Sequence, residues 1–216
     1  MQQINKGSIL YFYIVWLLFL IPATVYLLFY EKGDFSMVLN KLHNPASDIF
    51  FRYITWGGDF YIIVLICIIL LLIRLQYAII TIFNSVFVFT IITALKNIFN
   101  IDRPSIYFPS DMDLHYVPGL SLYEHFSFPS GHTASAFCIY FTLAYFSKNV
   151  WMKSFLAFLA VLVAISRVYL MQHFLIDVYA GSIIAVLVTH TLMVYYSRKT
   201  KLLSNDYLRH SVLKRR

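Results

Sequence analysis

Three short segments of the chain place charged or nucleophilic side chains where the surrounding sequence is apolar. In Lys96-Asn-Ile-Phe-Asn-Ile-Asp-Arg103-Pro104 two cations stand seven residues apart, about two helical turns, so both can point at one place. Pro129-Ser130-Gly131-His132 lies where a polar loop enters an apolar run. Gly131 there permits close backbone approach, and the free N–H groups and dipole of a helix start favour an anion. Ser166-Arg167 is followed by His173 and Asp177 at i and i+4, a spacing at which a carboxylate can hold an imidazole nitrogen and fix its tautomer. Each segment alone has an ordinary explanation. Cations near a helix end snorkel to headgroups, Ser-Gly-His begins many helices, and a His–Asp pair is commonly a stabilising contact. Together they supply three cations, backbone donors and two histidines. Phosphoryl transfer needs that set: charge neutralisation, a nucleophile, and a proton donor for the leaving alcohol.

The elements that must carry these residues are membrane helices. Of 216 residues, 60% are hydrophobic and only 12% charged, with mean hydropathy +0.72, a balance that excludes an ordinary water-soluble domain. About 20 apolar residues cross a hydrocarbon core. Six runs qualify, some only with polar residues at their ends: 9–30, 56–74, 77–99, 132–147, 154–171 and 174–196. The first is too long for the core of a cleavable signal and has no small-residue cleavage site, so it reads as a retained span. Residues 31–53 are polar and mildly amphipathic, as an interfacial helix would be. Residues 101–128 contain Pro104, Pro109, Pro118 and Gly119 and read as a loop. The expectation is an all-α polytopic membrane protein with six transmembrane helices, an interfacial helix after the first, and one domain over residues 1–216. Cys67 and Cys138 both lie in apolar runs, so no structural disulfide is expected.

Charge distribution assigns the sides. The net charge of +7 is concentrated in the tail, where Arg198, Lys199, Lys201, Arg209, Lys214, Arg215 and Arg216 face one acid, Asp206. A basic segment beside a span marks the cytoplasm, so the excess needs no nucleic acid. Six spans put both termini on that side, with Lys6, Arg74, Lys148 and Lys153. The opposite side takes Lys32, Lys41, Arg52 and Arg103 together with eight of the ten acids, Glu31, Asp34, Asp48, Asp59, Asp102, Asp111, Asp113 and Glu124. The same alternation brings Lys96, His132, Arg167 and Asp177 to the outer ends of four spans. Intramembrane charges are costly and functional by default, and here all fall at one depth.

On these residues the chain resembles the type 2 phosphatidic acid phosphatase family, whose phosphate pocket is shared with vanadium haloperoxidases and glucose-6-phosphatase. Lys-x6-Arg-Pro is matched by Lys96, Arg103 and Pro104, and Pro-Ser-Gly-His by Pro129, Ser130, Gly131 and His132. Ser-Arg-x5-His-x3-Asp is matched by Ser166, Arg167, His173 and Asp177. The resemblance implies that His173 attacks phosphorus to give a phosphohistidine and that Asp177 orients it. It implies that His132 protonates the leaving alkoxide and then activates water. Lys96, Arg103, Arg167, the Ser130 hydroxyl and the Gly131 amide would hold the phosphoryl oxygens. No metal or other cofactor is expected, because cations and backbone donors supply the charge, and neither a carboxylate cluster for Mg²⁺ nor zinc-ligand spacing is visible.

The implied activity is hydrolysis of a lipid phosphate monoester or diphosphate on the extracytoplasmic face of the cytoplasmic membrane. Candidate substrates are undecaprenyl diphosphate, phosphatidylglycerol phosphate, phosphatidic acid and a lipid A phosphate. The expected partners are that lipid and the bilayer. A lipid transporter or flippase is the alternative, but charges clustered at one depth describe a pocket rather than a path. A soluble haloperoxidase conflicts with the apolar spans, and a catalytically dead scaffold conflicts with filled motifs. Of the remaining histidines, His115 and His125 are expected to face water from the loop, His43 and His210 to lie on the surface, and His190 to be a buried hydrogen-bonding group.

Overall fold

The structure, a computed structural model, describes residues 9–198. Those residues form α1 (Leu10–Phe29), α2 (Asp34–Lys41), α3 (Pro45–Ile54), a 3-10 turn (Thr55–Gly58), α4 (Phe60–Ile73), α5 (Leu75–Phe99), α6 (Pro104–Tyr107), α7 (Gly131–Phe146), α8 (Val150–Tyr169) and α9 (Leu175–Arg198), with no strand among the described residues. Polar caps set the boundaries. Asn44 accepts from Ser47 N with Pro45 in the first turn of α3, Asp59 accepts from Tyr61 N, Ser130 from Thr133 N, and Asn149 from Trp151 N and Met152 N. Asn100 ends α5 in the left-handed region at φ 39°, a conformation Asn adopts more readily than most residues.

α7 is the centre of the bundle and packs against α5, α8 and α9, while α1 lies on α8 and α9. Small side chains let these helices close: Ala134, Ala136 and Ala144 of α7, Ala157, Ala160 and Ala164 of α8, and Gly181 and Ala185 of α9 are buried. Side-chain hydrogen bonds tie them further. Asn84 Nδ2 donates to Thr142 Oγ1 at 3.0 Å, and Trp16 Nε1 to Ser182 Oγ at 3.2 Å. The outer helices expose Leu18, Leu28, Phe60, Tyr61 and Phe89, an arrangement suited to hydrocarbon. His190 is half-buried within α9 and hydrogen-bonded to the Tyr13 hydroxyl at 2.8 Å, as expected of it. Cys67 and Cys138 are unpaired thiols.

A helix covers each of the six apolar runs, but only four are long and apolar enough to cross a membrane unaided. A fifth candidate joins α3 and its turn to α4 across a 54° bend. α4 has 14 residues and α7 has 16, about 21 and 24 Å at 1.5 Å per residue, against roughly 30 Å of hydrocarbon. Hydropathy follows apolar side chains, whereas helix length follows where caps and breaks interrupt the backbone ladder.

Two other expectations need correction. Residues 31–53 hold two helices rather than one, because Asn44-Pro45 breaks and restarts the chain. Residues 101–128 are irregular except for the single turn α6. That loop is pinned down: Arg103 N donates to Glu124 O, Ser127 N to Ile101 O, and Asn40 exchanges two hydrogen bonds with the His115 backbone. His115 is half-buried rather than turned fully to water. Its Nε2 lies 2.8 Å from Asp48 and its ring stacks on His43 at 3.9 Å, because α2 and α3 fold against the loop. His125 is exposed and paired with Asp102 at 2.8 Å. Lys6, His210 and the tail cations from Lys199 onward lie outside the described residues.

Candidate active site

The C-terminal ends of α5 and α8 and the N-terminal ends of α7 and α9 meet at one end of the bundle, and there the three segments converge. Lys96 is in the last turn of α5, His132 in the first turn of α7, Arg167 in the last turn of α8 and Asp177 in the first turn of α9. Arg103 reaches them by another route than helical phase. α5 stops at Phe99, and Arg103 sits in extended backbone after the reversal at Asn100. His173 likewise precedes α9, in the turn that Met171 enters at φ 55° and that His173 N and Gln172 N anchor by donating to Arg167 O.

His173 is fully buried, and its two ring nitrogens face different partners. Nδ1 lies 3.4 Å from Asp177 Oδ2 and 3.4 Å from Ser127 Oγ, while Nε2 lies 3.4 Å from Arg103 Nη1. A carboxylate only accepts and a guanidinium only donates. The network therefore places the proton on Nδ1 and leaves the Nε2 lone pair toward Arg103. Burial first, then Arg103, Arg167 and Lys96, hold His173 well below the ordinary imidazole range. Asp177 Oδ2 is fixed in turn by Ser127 Oγ at 2.5 Å and Phe174 N at 2.8 Å.

The three cations are held by neutral groups. Lys96 Nζ donates to Phe126 O, Arg103 donates to His125 O at 2.8 Å and Gln172 O at 3.0 Å, and Arg167 Nη1 donates to Thr55 Oγ1 at 2.8 Å. Among the described residues none of the three forms an ion pair, and the buried Arg167 Nε has no hydrogen-bond partner. Buried charge without a carboxylate is costly unless an anion completes it.

Ser130 docks the start of α7 onto α9. Its N–H donates to Asp177 O at 3.0 Å, and a Cβ on Gly181 would meet Ser130 O at 2.8 Å. Its hydroxyl accepts from Thr133 N and Thr133 Oγ1, which leaves the hydroxyl proton free to donate elsewhere. Gly131 lies beside the Lys96 stem: a Cβ there would sit 3.7 Å from Lys96 Cε. Ser166 is buried and donates to Val163 O, turned into α8. His132 Nε2 lies 3.9 Å from Asp59 Oδ2.

Ser127, Thr55 and Asp59 escape a reading of the sequence. Ser127 stands two residues before Pro129, yet its type carries no signal. Thr55 and Asp59 belong to a stretch whose composition suggests only an interface and the start of a span.

A profile described as the PAP2 superfamily matches residues 65–201. Phosphatidylglycerophosphatase B of Bacillus subtilis (strain 168) is 49% identical over 65 residues, 26% of this chain and 32% of that protein, so the match spans about a third of that relative. The crystal structure of Aquifex aeolicus LpxE superposes with TM-score 0.69 at 27% identity over 77% of this chain and 97% of that one. The first transmembrane PAP2 type phosphatidylglycerolphosphate phosphatase from Bacillus subtilis, at 24% identity and TM-score 0.65 over 87% and 96%, shares the fold. With the profile covering more than half of its length and the three segments brought to one end of the helical bundle, the chain belongs to the PAP2 superfamily.

Proposed function

We propose that the protein is an integral membrane lipid phosphatase working through a phosphohistidine. One observation carries the reading. The buried His173 turns Nε2 toward Arg103 Nη1 at 3.4 Å, with Asp177 fixed behind it, at the end of the bundle where Lys96, Arg103 and Arg167 meet without an ion pair among the described residues. Phosphoryl oxygens bound by Lys96, Arg103, Arg167, the Ser130 hydroxyl and the Gly131 amide supply the missing negative charge. His173 Nε2 then forms a bond to phosphorus as the bond to the lipid oxygen breaks, and protonated His132 gives its proton to that oxygen. Water next attacks phosphorus, its proton passes to His132, and inorganic phosphate leaves with His173 regenerated. The cations and backbone donors stabilise both transition states, so no step calls for a metal.

The whole chain acts as one membrane-embedded domain. It crosses six times, with α4 and the sheathed α7 as short spans and α3 lying toward the interface. Both termini are cytoplasmic, and the site opens to the outer leaflet of the cytoplasmic membrane. An envelope lipid is the substrate class, and phosphatidylglycerol phosphate is the first to test, because the similar Bacillus subtilis phosphatidylglycerophosphatase B is named for it. The test is phosphate release by purified protein with EDTA present, from phosphatidylglycerol phosphate, undecaprenyl diphosphate, phosphatidic acid and a lipid A phosphate. Turnover of at least one is expected. Inactivity on all four, or activity abolished by EDTA, overturns the reading.

A further inference from the structure

The bend between α3 and α4 brings to the site a segment that none of the three motifs contains. We infer that Asp59 is the positioning residue of His132, a carboxylate that holds the imidazole by Nε2 and stabilises its protonated form. The inference rests on the proposed acid–base role of His132.

Four features of the bend support it. Asp59 Oδ1 is committed to capping α4 through Tyr61 N at 3.2 Å, which leaves Oδ2 as the oxygen 3.9 Å from His132 Nε2. The neighbouring Gly58 is pressed against α7, and a Cβ there would overlap the His132 carbonyl, so the main chain fixes the distance between the two side chains. One turn earlier Thr55 accepts from Arg167 Nη1, so the same segment positions a phosphate-binding cation. Tyr140 of α7 donates to Gly57 O at 3.1 Å and closes the contact.

The charged and titratable groups that face His132 are Arg167 from α8, Lys96 from α5, Arg103 and His173 from the loops, and Asp59 from the bend. Asp59 is the carboxylate that pairs with it. With Nε2 held by Asp59, Nδ1 is the nitrogen left to deliver the proton to the leaving oxygen and later to take one from water. A gap of 3.9 Å is within ion-pair range, and such contacts tighten when substrate fills a site.

The experiment compares wild type with Asp59→Asn, Asp59→Glu and His132→Ala. Asn is itself a good helix cap, so Asp59→Asn keeps the start of α4. Its kcat/KM for the best lipid substrate is expected to fall by about tenfold or more, within the range a general acid contributes. The loss for an aryl phosphate, whose leaving group needs little protonation, is expected to be several-fold smaller. The basic limb of the lipid pH profile is expected to move to lower pH, since removing the carboxylate makes His132 release its proton earlier, and Asp59→Glu is expected to restore part of the loss. Adding Asp59→Asn to His132→Ala is expected to cost little more.

Equal losses on both substrates, an unmoved basic limb, or a full additional loss on the His132→Ala background overturns the inference. If His132→Ala itself spares neither substrate preferentially, the acid role fails instead, and the two failures are told apart.

Discussion

The Ser127 hydroxyl donates to Asp177 Oδ2 over 2.5 Å, the same carboxylate oxygen that faces His173 Nδ1. Both residues are fully buried. Ser127 thus fixes the group that fixes the proposed nucleophile. A hydrogen bond to a charged group is worth about 1.5–3 kcal/mol, so Ser127→Ala is expected to lower kcat by about tenfold to a hundredfold. KM should change little, because Ser127 touches none of the three cations. Ser127→Thr, which keeps the hydroxyl, should retain more activity than Ser127→Ala. A Ser127→Ala enzyme with wild-type kcat would show that the Phe174 N–H alone orients Asp177.

His173→Ala is expected to abolish turnover while leaving expression and membrane insertion normal. The side chain sits in the turn between α8 and α9, anchored by backbone bonds to Arg167 O that the substitution keeps. Rapid acid-free quenching with radiolabelled substrate should trap a covalent phosphoprotein in wild type and none in the variant. Residual activity above a few per cent would remove His173 from the nucleophile role.

Much of this candidate site is legible in the sequence, for a physical reason. Charges inside apolar runs are expensive, so Lys96, His132, Arg167 and Asp177 stand out by type alone, and alternating the spans brings them to one end. The supporting residues carry no such mark. Thr55 meets Arg167 across 112 positions and Ser127 meets Asp177 across 50, both through loops whose path the composition does not encode. Arg103 reaches the end of the bundle that holds Lys96 not by helical phase but through the reversal at Asn100, since α5 ends four residues before it. Helix lengths were overestimated for α4 because Gly57, Gly58 and Asp59 interrupt a run that hydropathy reads as continuous.

His132→Ala is expected to reduce kcat/KM for a lipid substrate by about a hundredfold or more, and for an aryl phosphate by much less. A general acid matters most when the departing alkoxide is basic. Using kcat/KM confines the comparison to the step in which the alcohol leaves, whatever limits the later hydrolysis. Equal losses on the two substrates would argue for a role in binding phosphate instead.

Sidedness rests on charge rather than on family. The basic residues from Arg198 to Arg216 should lie in the cytoplasm, while Asp111 and Asp113, exposed in the loop before α7, face the opposite compartment. That loop also carries Arg103 and Ser127, so its side is the side of the site. A substrate must then present its headgroup in the outer leaflet, which favours envelope lipids over those metabolised at the cytoplasmic face. The measurement uses two single-cysteine variants, one at Asn205 and one at Asp111, in a background with Cys67 and Cys138 replaced. Intact cells, with any outer membrane permeabilised, are treated with a thiol reagent that cannot cross the inner membrane. Labelling at Asp111 with protection at Asn205 is the expected pattern. The opposite pattern would invert the protein in the membrane and withdraw the envelope-lipid assignment, while leaving the chemistry of His173 and His132 untouched.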